Sequence, residues 1–144
     1  MVINYPEPAF RVKKKGELDY IFDSIRKRWL LLTEEEWVRQ NFVQYLVRVL
    51  NYPVTLIAVE KEIMLGEMKK RFDILVYDKL HKPFMMIECK SPSVALNEKV
   101  LQQVLRYNIS VPVEYVIITN GNTSYGWLKK EGKLEILSEM PLFT

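Results

Sequence analysis

Two neighbouring stretches near the middle of the chain alternate apolar and polar residues with the period of a β-strand. Residues 70–77 and 83–90 are rich in strand-forming side chains, and turn-forming residues separate them at 78–83. The pattern predicts two strands joined by a hairpin loop, with successive side chains on opposite faces. One face receives Phe72, Ile74, Val76, Met85, Ile87 and Cys89, and the other receives Arg71, Asp73, Leu75, Tyr77, Met86, Glu88 and Lys90.

The second face places charged groups among apolar ones. Its apolar residues indicate that it is partly covered, so Asp73 and Glu88 are expected in a half-buried place with Lys90 beside them. A buried carboxylate is costly unless a cation or a hydrogen-bond donor pairs with it. Two carboxylates on neighbouring strands suit a hard divalent metal ion. A cross-strand ion cluster is the structural alternative, because an acid-x-lysine pattern is common in strands.

A helix is predicted to begin after Thr33 and to end near Leu50. Thr33 and Glu36 form a capping-box pattern, in which the Glu36 carboxylate reaches back to the N–H of the cap, and Glu34 is expected in solvent. Glu35 is the acidic residue on the inward stripe of this helix, so it is assigned to the site. The inward stripe is Val38, Phe42, Leu46 and Val49, and the opposite, polar face is Gln40, Asn41, Gln44 and Arg48.

The rest of the chain supplies a second helix and further strands. The helix is predicted from Asn97 to Tyr107, which puts Gln103 and Tyr107 on one helical face. A dense apolar run at 115–119 predicts a central strand, parallel to the Glu88 strand because a helical crossover precedes it. Tyr107 is also expected to lie on the same side of the helix as Val100 and Val104, and further strands are predicted as a hairpin within residues 9–22, a strand at 55–61 and a final pair at 125–129 and 133–137.

This order of elements defines the expected fold class. It predicts an α/β fold in which a mixed β-sheet is flanked by helices. At 144 residues the chain is expected to form a single domain, residues 1–144, in which residues 1–32 are an N-terminal β-hairpin extension.

Composition narrows the classes of function. The net charge of +3 is compatible with a nucleic-acid partner without requiring one. His81 is the only histidine, which argues against a histidine-based nuclease, a Cys/His zinc site and a Ser-His-Asp triad. The sequence has no Walker A loop, no apolar run that spans a bilayer and no signal-peptide pattern, and its single cysteine, Cys89, fits a reducing compartment. We therefore expect a cytoplasmic protein without a membrane partner. A basic cluster at 26–28 beside Trp29 either contacts phosphate or lines a solvated face.

The candidate residues follow one another in a familiar order: an acidic helix, a strand aspartate, a Glu-x-Lys strand, and a helix with Gln-x-x-x-Tyr. This ordered set resembles the PD-(D/E)xK nuclease superfamily, and more closely the N-terminal nuclease domain of type I restriction enzyme R subunits in its small stand-alone form. Phe72 departs from the family pattern by occupying the position of its proline, and this sequence lacks the helicase motor of family proteins with restriction roles. The matching stretches are residues 32–40, 56–61, 71–77, 87–91, 103–107 and 115–121.

The resemblance implies a restriction-endonuclease-like fold and an Mg²⁺-dependent DNA endonuclease, with Mn²⁺ as a substitute metal. It implies DNA as a partner, together with other restriction-system subunits. Lys90 would orient the attacking water or stabilise the pentavalent phosphate anion. The implied metal ligands are Asp73, Glu88 and Glu35, and Gln103 and Tyr107 would order the site or hold DNA near it.

Two other functions share this fold, and the fold does not decide among them. One is a non-catalytic DNA-binding or scaffolding module that uses the acidic pocket structurally. The other is a metal-binding regulatory or interaction protein with no nucleic-acid partner. The intact acidic pair and Lys90 favour the nuclease over the scaffold. Basic residues on the pocket rim would favour a nucleic-acid partner, and the candidates are Lys69, Lys70, Arg71 and residues 26–28.

Overall fold

The computed structural model describes all 144 residues and contains two β-sheets and two α-helices, which confirms the α/β class. A single turn of 3₁₀-helix, Val54–Leu56, precedes the fourth strand. Neither helix is long and apolar enough to cross a membrane. In chain order the elements are β1 (Val12–Lys15), β2 (Leu18–Asp23), β3 (Arg28–Leu31), α1 (Glu34–Arg48), β4 (Ile57–Leu65), β5 (Met68–Tyr77), β6 (Pro83–Cys89), α2 (Glu98–Asn108), β7 (Tyr115–Thr119), β8 (Ser124–Lys130) and β9 (Lys133–Ile136).

The six strands β4 to β9 form one mixed sheet in sequence order. Every neighbouring pair is antiparallel except β6 and β7, which are parallel. The predicted hairpin of β5 and β6, the parallel central strand β7 and the final hairpin of β8 and β9 are therefore confirmed. The parallel pair follows from the chain path, because α2 carries the chain back between β6 and β7.

Each face of this sheet has its own hydrophobic core. The first core lies under α1 and is sealed by chain ends that include Met140. The second core, on the opposite face, lies under α2 and the loop around Val111. The first contains Val38, Phe42, Leu46, Ile74, Val76, Met85, Ile87, Cys89 and Ile117, and the second contains Phe72, Leu75, Met86, Val104, Val113, Val116, Ile118 and Trp127. The central strands are thus covered on both faces.

The regular alternation predicted for β5 is wrong at its middle. Phe72 belongs to the core on the α2 side, whereas Ile74 belongs to the core under α1. The change of face falls at Asp73, where β5 lacks a pairing partner on both β4 and β6. Glu60 lies between the β4 residues that pair with Phe72 and Ile74, and its φ is +53°. On the other edge, the pairing with β6 extends only as far as Ile74 and Ile87.

The N-terminal extension is a three-stranded antiparallel sheet, so the predicted hairpin is confirmed but incomplete. The third strand forms because Asp23 accepts hydrogen bonds from the backbone N–H groups of Ile25 and Arg26, at 2.8 and 3.1 Å, and so closes a turn. The returning strand then packs Trp29 edge-to-face against Phe22, with ring centroids 5.4 Å apart.

The polar face of α1 is partly covered by the N-terminal segment. Gln44 accepts a hydrogen bond from the N–H of Ala9 and donates one to the carbonyl of Glu7, at 3.0 and 2.9 Å. Gln40 is buried as well. This burial was not visible in the helical pattern because the covering residues lie more than 30 positions away in sequence.

The ends of both helices differ from the prediction in which side chains they bury. Helix α1 ends at Arg48, so Val49 is exposed and Tyr52 enters the core in its place. Asn97 caps α2 by accepting a hydrogen bond from the N–H of Val100, at 3.0 Å. Tyr107, placed by pattern on the buried side of α2, is 62 % exposed, because the last turn of α2 extends past the core formed by its middle.

Candidate active site

Asp73 lies where β5 and β6 stop pairing. Its Oδ2 accepts a hydrogen bond from the backbone N–H of Cys89 at 2.8 Å, so the carboxylate takes the place of a ladder partner. Its Oδ1 accepts a hydrogen bond from Nη2 of Arg39 at 3.1 Å. The side chain is therefore held from two elements and fixed in orientation.

Glu88 and Lys90 follow at the end of β6, on the open side of the sheet. Nζ of Lys90 lies 3.7 Å from Oε1 of Glu88, and the two side chains are 32 % and 25 % exposed. The backbone of Lys90 is held by a hydrogen bond from its N–H to the carbonyl of Thr119 in β7, at 2.8 Å. The carboxylate and the ammonium group thus remain within reach of a ligand from solvent.

The pKa of Glu88 is raised to about 7 by burial and by the neighbouring Asp73 carboxylate, while Lys90 acts in the opposite direction. Two carboxylates this close repel each other when both are ionised. The pair therefore favours either a proton or a further cation. Burial and Asp73 also raise the pKa of Glu35.

Arg39 is the functional-site residue that the sequence analysis missed. It is 4 % exposed and lies among four carboxylates. Burial opposes its charge, yet the surrounding carboxylates raise the pKa of its guanidinium above the ordinary value. The signal was present in the sequence, since Arg39 follows Glu35 by four residues and Glu36 by three. Its Nη atoms lie 3.1 Å from Glu35, 2.8 Å from Glu36, 2.8 Å from Glu60 and 3.1 Å from Asp73.

Glu36, at the start of α1, has a different role from the one predicted for it. Thr33 caps the helix as expected, accepting a hydrogen bond from the N–H of Glu36 at 3.0 Å. The predicted hydrogen bond from the N–H of Thr33 to the Glu36 carboxylate is wrong. The Glu36 side chain is buried and accepts hydrogen bonds from Arg26 and Arg39 instead. A carboxylate that can reach two guanidinium groups gains more from them than from one backbone N–H.

Glu35 lies at the edge of the same cluster, with its side chain 45 % exposed, and binds Arg39 at 3.1 Å. Asp73 influences its pKa, so Glu35 is close to the site. Glu34, expected in solvent, is exposed and accepts a hydrogen bond from the hydroxyl of Ser91 at 2.8 Å.

Gln103 and Tyr107 are both exposed on α2, and neither forms a hydrogen bond or an ion pair with the acidic cluster. Tyr107 contacts Lys70 of β5 instead, with Nζ of Lys70 4.0 Å from the centroid of the tyrosine ring. The Lys70 ammonium also donates to the carbonyl of Tyr107. Burial lowers the pKa of Lys70, so this lysine supports α2 rather than lining a pocket rim.

The donor set can be compared with the needs of a divalent metal. No group of three or more Asp, Glu, His or Cys side chains is arranged to hold an ion by protein ligands alone. Asp73 and Glu88 nevertheless fit Mg²⁺, which keeps several waters and is usually bound through one or two carboxylates. The mutual repulsion that raises the pKa of Glu88 is what a cation between them would relieve. Glu35, bound to Arg39, fits an indirect role through water.

The fold and site define a mixed α/β domain in which an acidic pair and a lysine meet where two central strands separate. A comparison with protein families finds a match over residues 34–141 to the family described as "Type I restriction enzyme R protein N terminus (HSDR_N)". The chain belongs to this family, which confirms the resemblance drawn from the sequence. Among curated proteins, no match is found.

Proposed function

We propose that this protein is an Mg²⁺-dependent endonuclease that hydrolyses phosphodiester bonds in DNA. The observation that carries the proposal is the crowded pair of carboxylates, Asp73 and Glu88, with the Lys90 ammonium 3.7 Å from Glu88. Membership of a family described from a restriction enzyme supports a nuclease-like role. The same membership leads us to propose other restriction-system subunits as partners, in the cytoplasm.

In this proposal Asp73 and Glu88 would hold the metal, and Glu35 would support it indirectly. A bound Mg²⁺ or Mn²⁺ would supply Lewis-acid chemistry, which polarises the scissile phosphate and lowers the pKa of a water. Lys90 is not a ligand: its partly exposed ammonium orients the attacking water or stabilises the negative charge that develops on the phosphoryl oxygens. Arg39 is a positioning residue, because it fixes the Asp73 carboxylate without being exposed to DNA.

The exposure of Gln103 and Tyr107 supports contact with DNA over a role in ordering the site. Both face solvent on α2, and the tyrosine ring is held by Lys70. We therefore assign them to binding of the substrate and not to the chemical step.

A plasmid-nicking assay tests the proposal. Wild-type protein should nick supercoiled DNA with Mg²⁺ or Mn²⁺ and should stop when EDTA is added. Lys90→Ala should lose cleavage, because the group that helps the transition state is gone, while metal binding is retained. Lys82→Ala, an exposed lysine of the β5–β6 loop, is the matched control and should cleave like wild type. Cleavage by Lys90→Ala at the wild-type rate would overturn this mechanism.

A non-catalytic DNA-binding or scaffolding module is the second candidate, and one observation favours it. Arg39 already neutralises part of the charge on Asp73, Glu35 and Glu60, so the cluster has a structural role without any metal. This candidate predicts DNA binding without nicking in the same assay, under every metal condition.

A further inference from the structure

The net charge of the chain is confined to its N-terminal sheet. Residues 1–31 contain seven basic and four acidic residues, which accounts for the whole formal charge of +3. The remaining residues contain 14 basic and 14 acidic residues and are neutral overall. The family match begins only at residue 34, so this charged part lies before the matched region.

Three of these seven basic residues share one face of the sheet. Arg11 directly precedes β1, and it alternates with Lys13 and Lys15 of β1, so all three project to the same side. All three are exposed. The opposite face carries Ile21 and Asp23, which are buried against the rest of the protein.

Aromatic rings hold two of these cations in place. The guanidinium carbon of Arg11 lies 4.8 Å from the ring centroid of Phe22 and 5.3 Å from that of Trp29. Nζ of Lys13 lies 4.2 Å from the centroid of Trp29. Cation–π contacts of this kind restrain long side chains that would otherwise move freely. The positive charges are therefore preorganised at the surface.

The same face borders a cleft of about 420 Å³ between the N-terminal sheet and α1. Its walls carry two arginines, Arg11 and Arg48, and polar groups from Gln40 and Ser24. No acidic side chain lines it. Most of the other lining residues are apolar, so the cleft adds one further cation, Arg48, to the face that carries Arg11.

We propose that this face of the N-terminal sheet, with the adjoining cleft, binds the sugar-phosphate backbone of duplex DNA. Residues two apart in an extended segment are about 6.7 Å apart, so Arg11, Lys13 and Lys15 span roughly 13 Å. Along the duplex axis, phosphates of one strand repeat every 3.4 Å or so, and a row of this length contacts several of them. The inference rests on the proposed function in taking the anionic partner to be DNA.

Base stacking is not the mode of binding, because the cations already occupy the aromatic rings. The contact is therefore to phosphate and independent of sequence. Arg26, at the turn after β2, binds Glu36 of α1 at 2.9 Å, and Glu36 binds Arg39 beside Asp73. This chain of ion pairs connects the N-terminal sheet, through α1, to the acidic site and restrains the position of the basic face relative to that site.

The test is fluorescence anisotropy with a labelled duplex in EDTA, where no cleavage occurs. The triple variant Arg11→Gln, Lys13→Gln, Lys15→Gln should bind at least about tenfold more weakly. Its plot of log affinity against log salt should flatten by about 2.7, because each lost phosphate contact removes about 0.9 from the slope. A control triple removes the same charge elsewhere through Lys82→Gln, Lys130→Gln and Lys133→Gln, and should bind within about twofold of wild type.

A second pair of variants covers the case in which the triple variant does not fold. Lys13→Glu should weaken binding more than Lys14→Glu, which changes the neighbouring residue on the opposite face of the strand. Equal losses in the two triples or in the two single variants would overturn the proposal, as would tighter binding to vesicles of anionic lipid than to duplex.

The outcome is separable from that of the nuclease proposal. If the surface variants lose affinity but wild type never nicks plasmid, the DNA surface stands and the catalytic function falls. If plasmid is nicked and the surface variants bind normally, the catalytic function stands and the proposed DNA surface falls.

Discussion

Arg39 decides how charge is balanced at the candidate site. One buried guanidinium serves four carboxylates from three elements, so removal of any one partner leaves uncompensated charge behind. At the scale of single residues, the important distinction is between carboxylates that are locked into this cluster and those that remain available to a ligand. Glu36 belongs to the first kind, and Glu88 belongs to the second.

This distinction separates Glu35 from Glu36. Glu36→Gln should lower the unfolding free energy by about 3 kcal/mol, because it disrupts a buried cluster with Arg26 and Arg39. For a domain of this size the melting temperature should fall by roughly 10 °C. Glu35→Gln alters a half-exposed pair and should cost under about 1 kcal/mol while impairing cleavage. Thermal melts and nicking rates of the two variants check this, and equal stability would contradict the assigned roles.

Glu88 should make folding stability depend on pH. Its pKa is about 7 when folded and about 4.3 in an unfolded chain, so the folded state binds more protons between these values. Stability contributed by this group is therefore present at low pH and is lost as the pH rises from about 4.3 through 7. The groups that set this balance are Asp73, Glu35 and Lys90.

Glu88→Gln should reduce the fall in melting temperature between pH 5 and pH 8, measured in EDTA. The reason is that glutamine cannot ionise and so does not repel Asp73. Glu135→Gln, on the exposed strand β9, is the control and should retain the wild-type pH profile. An identical profile for Glu88→Gln and wild type would show that burial and Asp73 do not raise the pKa of Glu88 in the folded state.

At the scale of elements, the N-terminal sheet is attached to the helix that supplies the site. Despite burial, hydrogen bonds from Arg26 lower the pKa of Asp23, and the same arginine forms two hydrogen bonds to Glu36 at 2.9 and 3.0 Å. The N-terminal segment before the sheet adds its bonds to Gln44. These contacts hold the N-terminal sheet against α1.

Arg26→Gln should loosen this attachment. We expect the free energy of local opening of β1 to β3 to fall by about 3 kcal/mol, so that their amides exchange faster. Exchange in the central sheet should change little. Hydrogen exchange followed by mass spectrometry resolves the two regions. Lys27→Gln changes the adjacent exposed residue and should leave exchange unaffected. Uniform acceleration over the whole chain would instead mean that the sheet and the core unfold as one unit.

At the scale of the whole molecule, two cores back a sheet whose open end carries the acidic pair. Such a scaffold holds Asp73 and Glu88 together even though they repel, because the strands cannot move apart without exposing buried apolar surface. A ligand that relieves the repulsion therefore stabilises the entire domain through linkage.

Mg²⁺ or Mn²⁺ should accordingly raise the melting temperature. At ten times the dissociation constant the gain is about 1.4 kcal/mol, or several degrees. Asp73→Asn should abolish this response, since one of the two proposed ligands loses its charge. Asp19→Asn, on the exposed part of β2, should keep it. A metal response preserved in Asp73→Asn would show that the ion binds elsewhere.

The sequence by itself determined the local organisation of this protein. The periods of its apolar residues located both helices and most strands, and the helical crossover required β7 to run parallel to β6. The predicted hairpin placed Asp73 and Glu88 on neighbouring strands, because two strands joined by a short loop pair with each other. Their roles in catalysis stay predictions, as does the role of Glu35.

Only the tertiary structure decided which charges meet across distant segments. Arg26 and Glu36 are ten residues apart, and Arg39 and Asp73 are 34 apart, so no local period relates them. Their contacts depend on how α1 docks on the sheet and how the N-terminal strands dock on α1. Docking is driven by apolar burial, which is non-directional. The polar partners are selected only after the apolar faces have set the distances between elements, which is why the contact between Arg39 and Asp73 could not be predicted from the sequence.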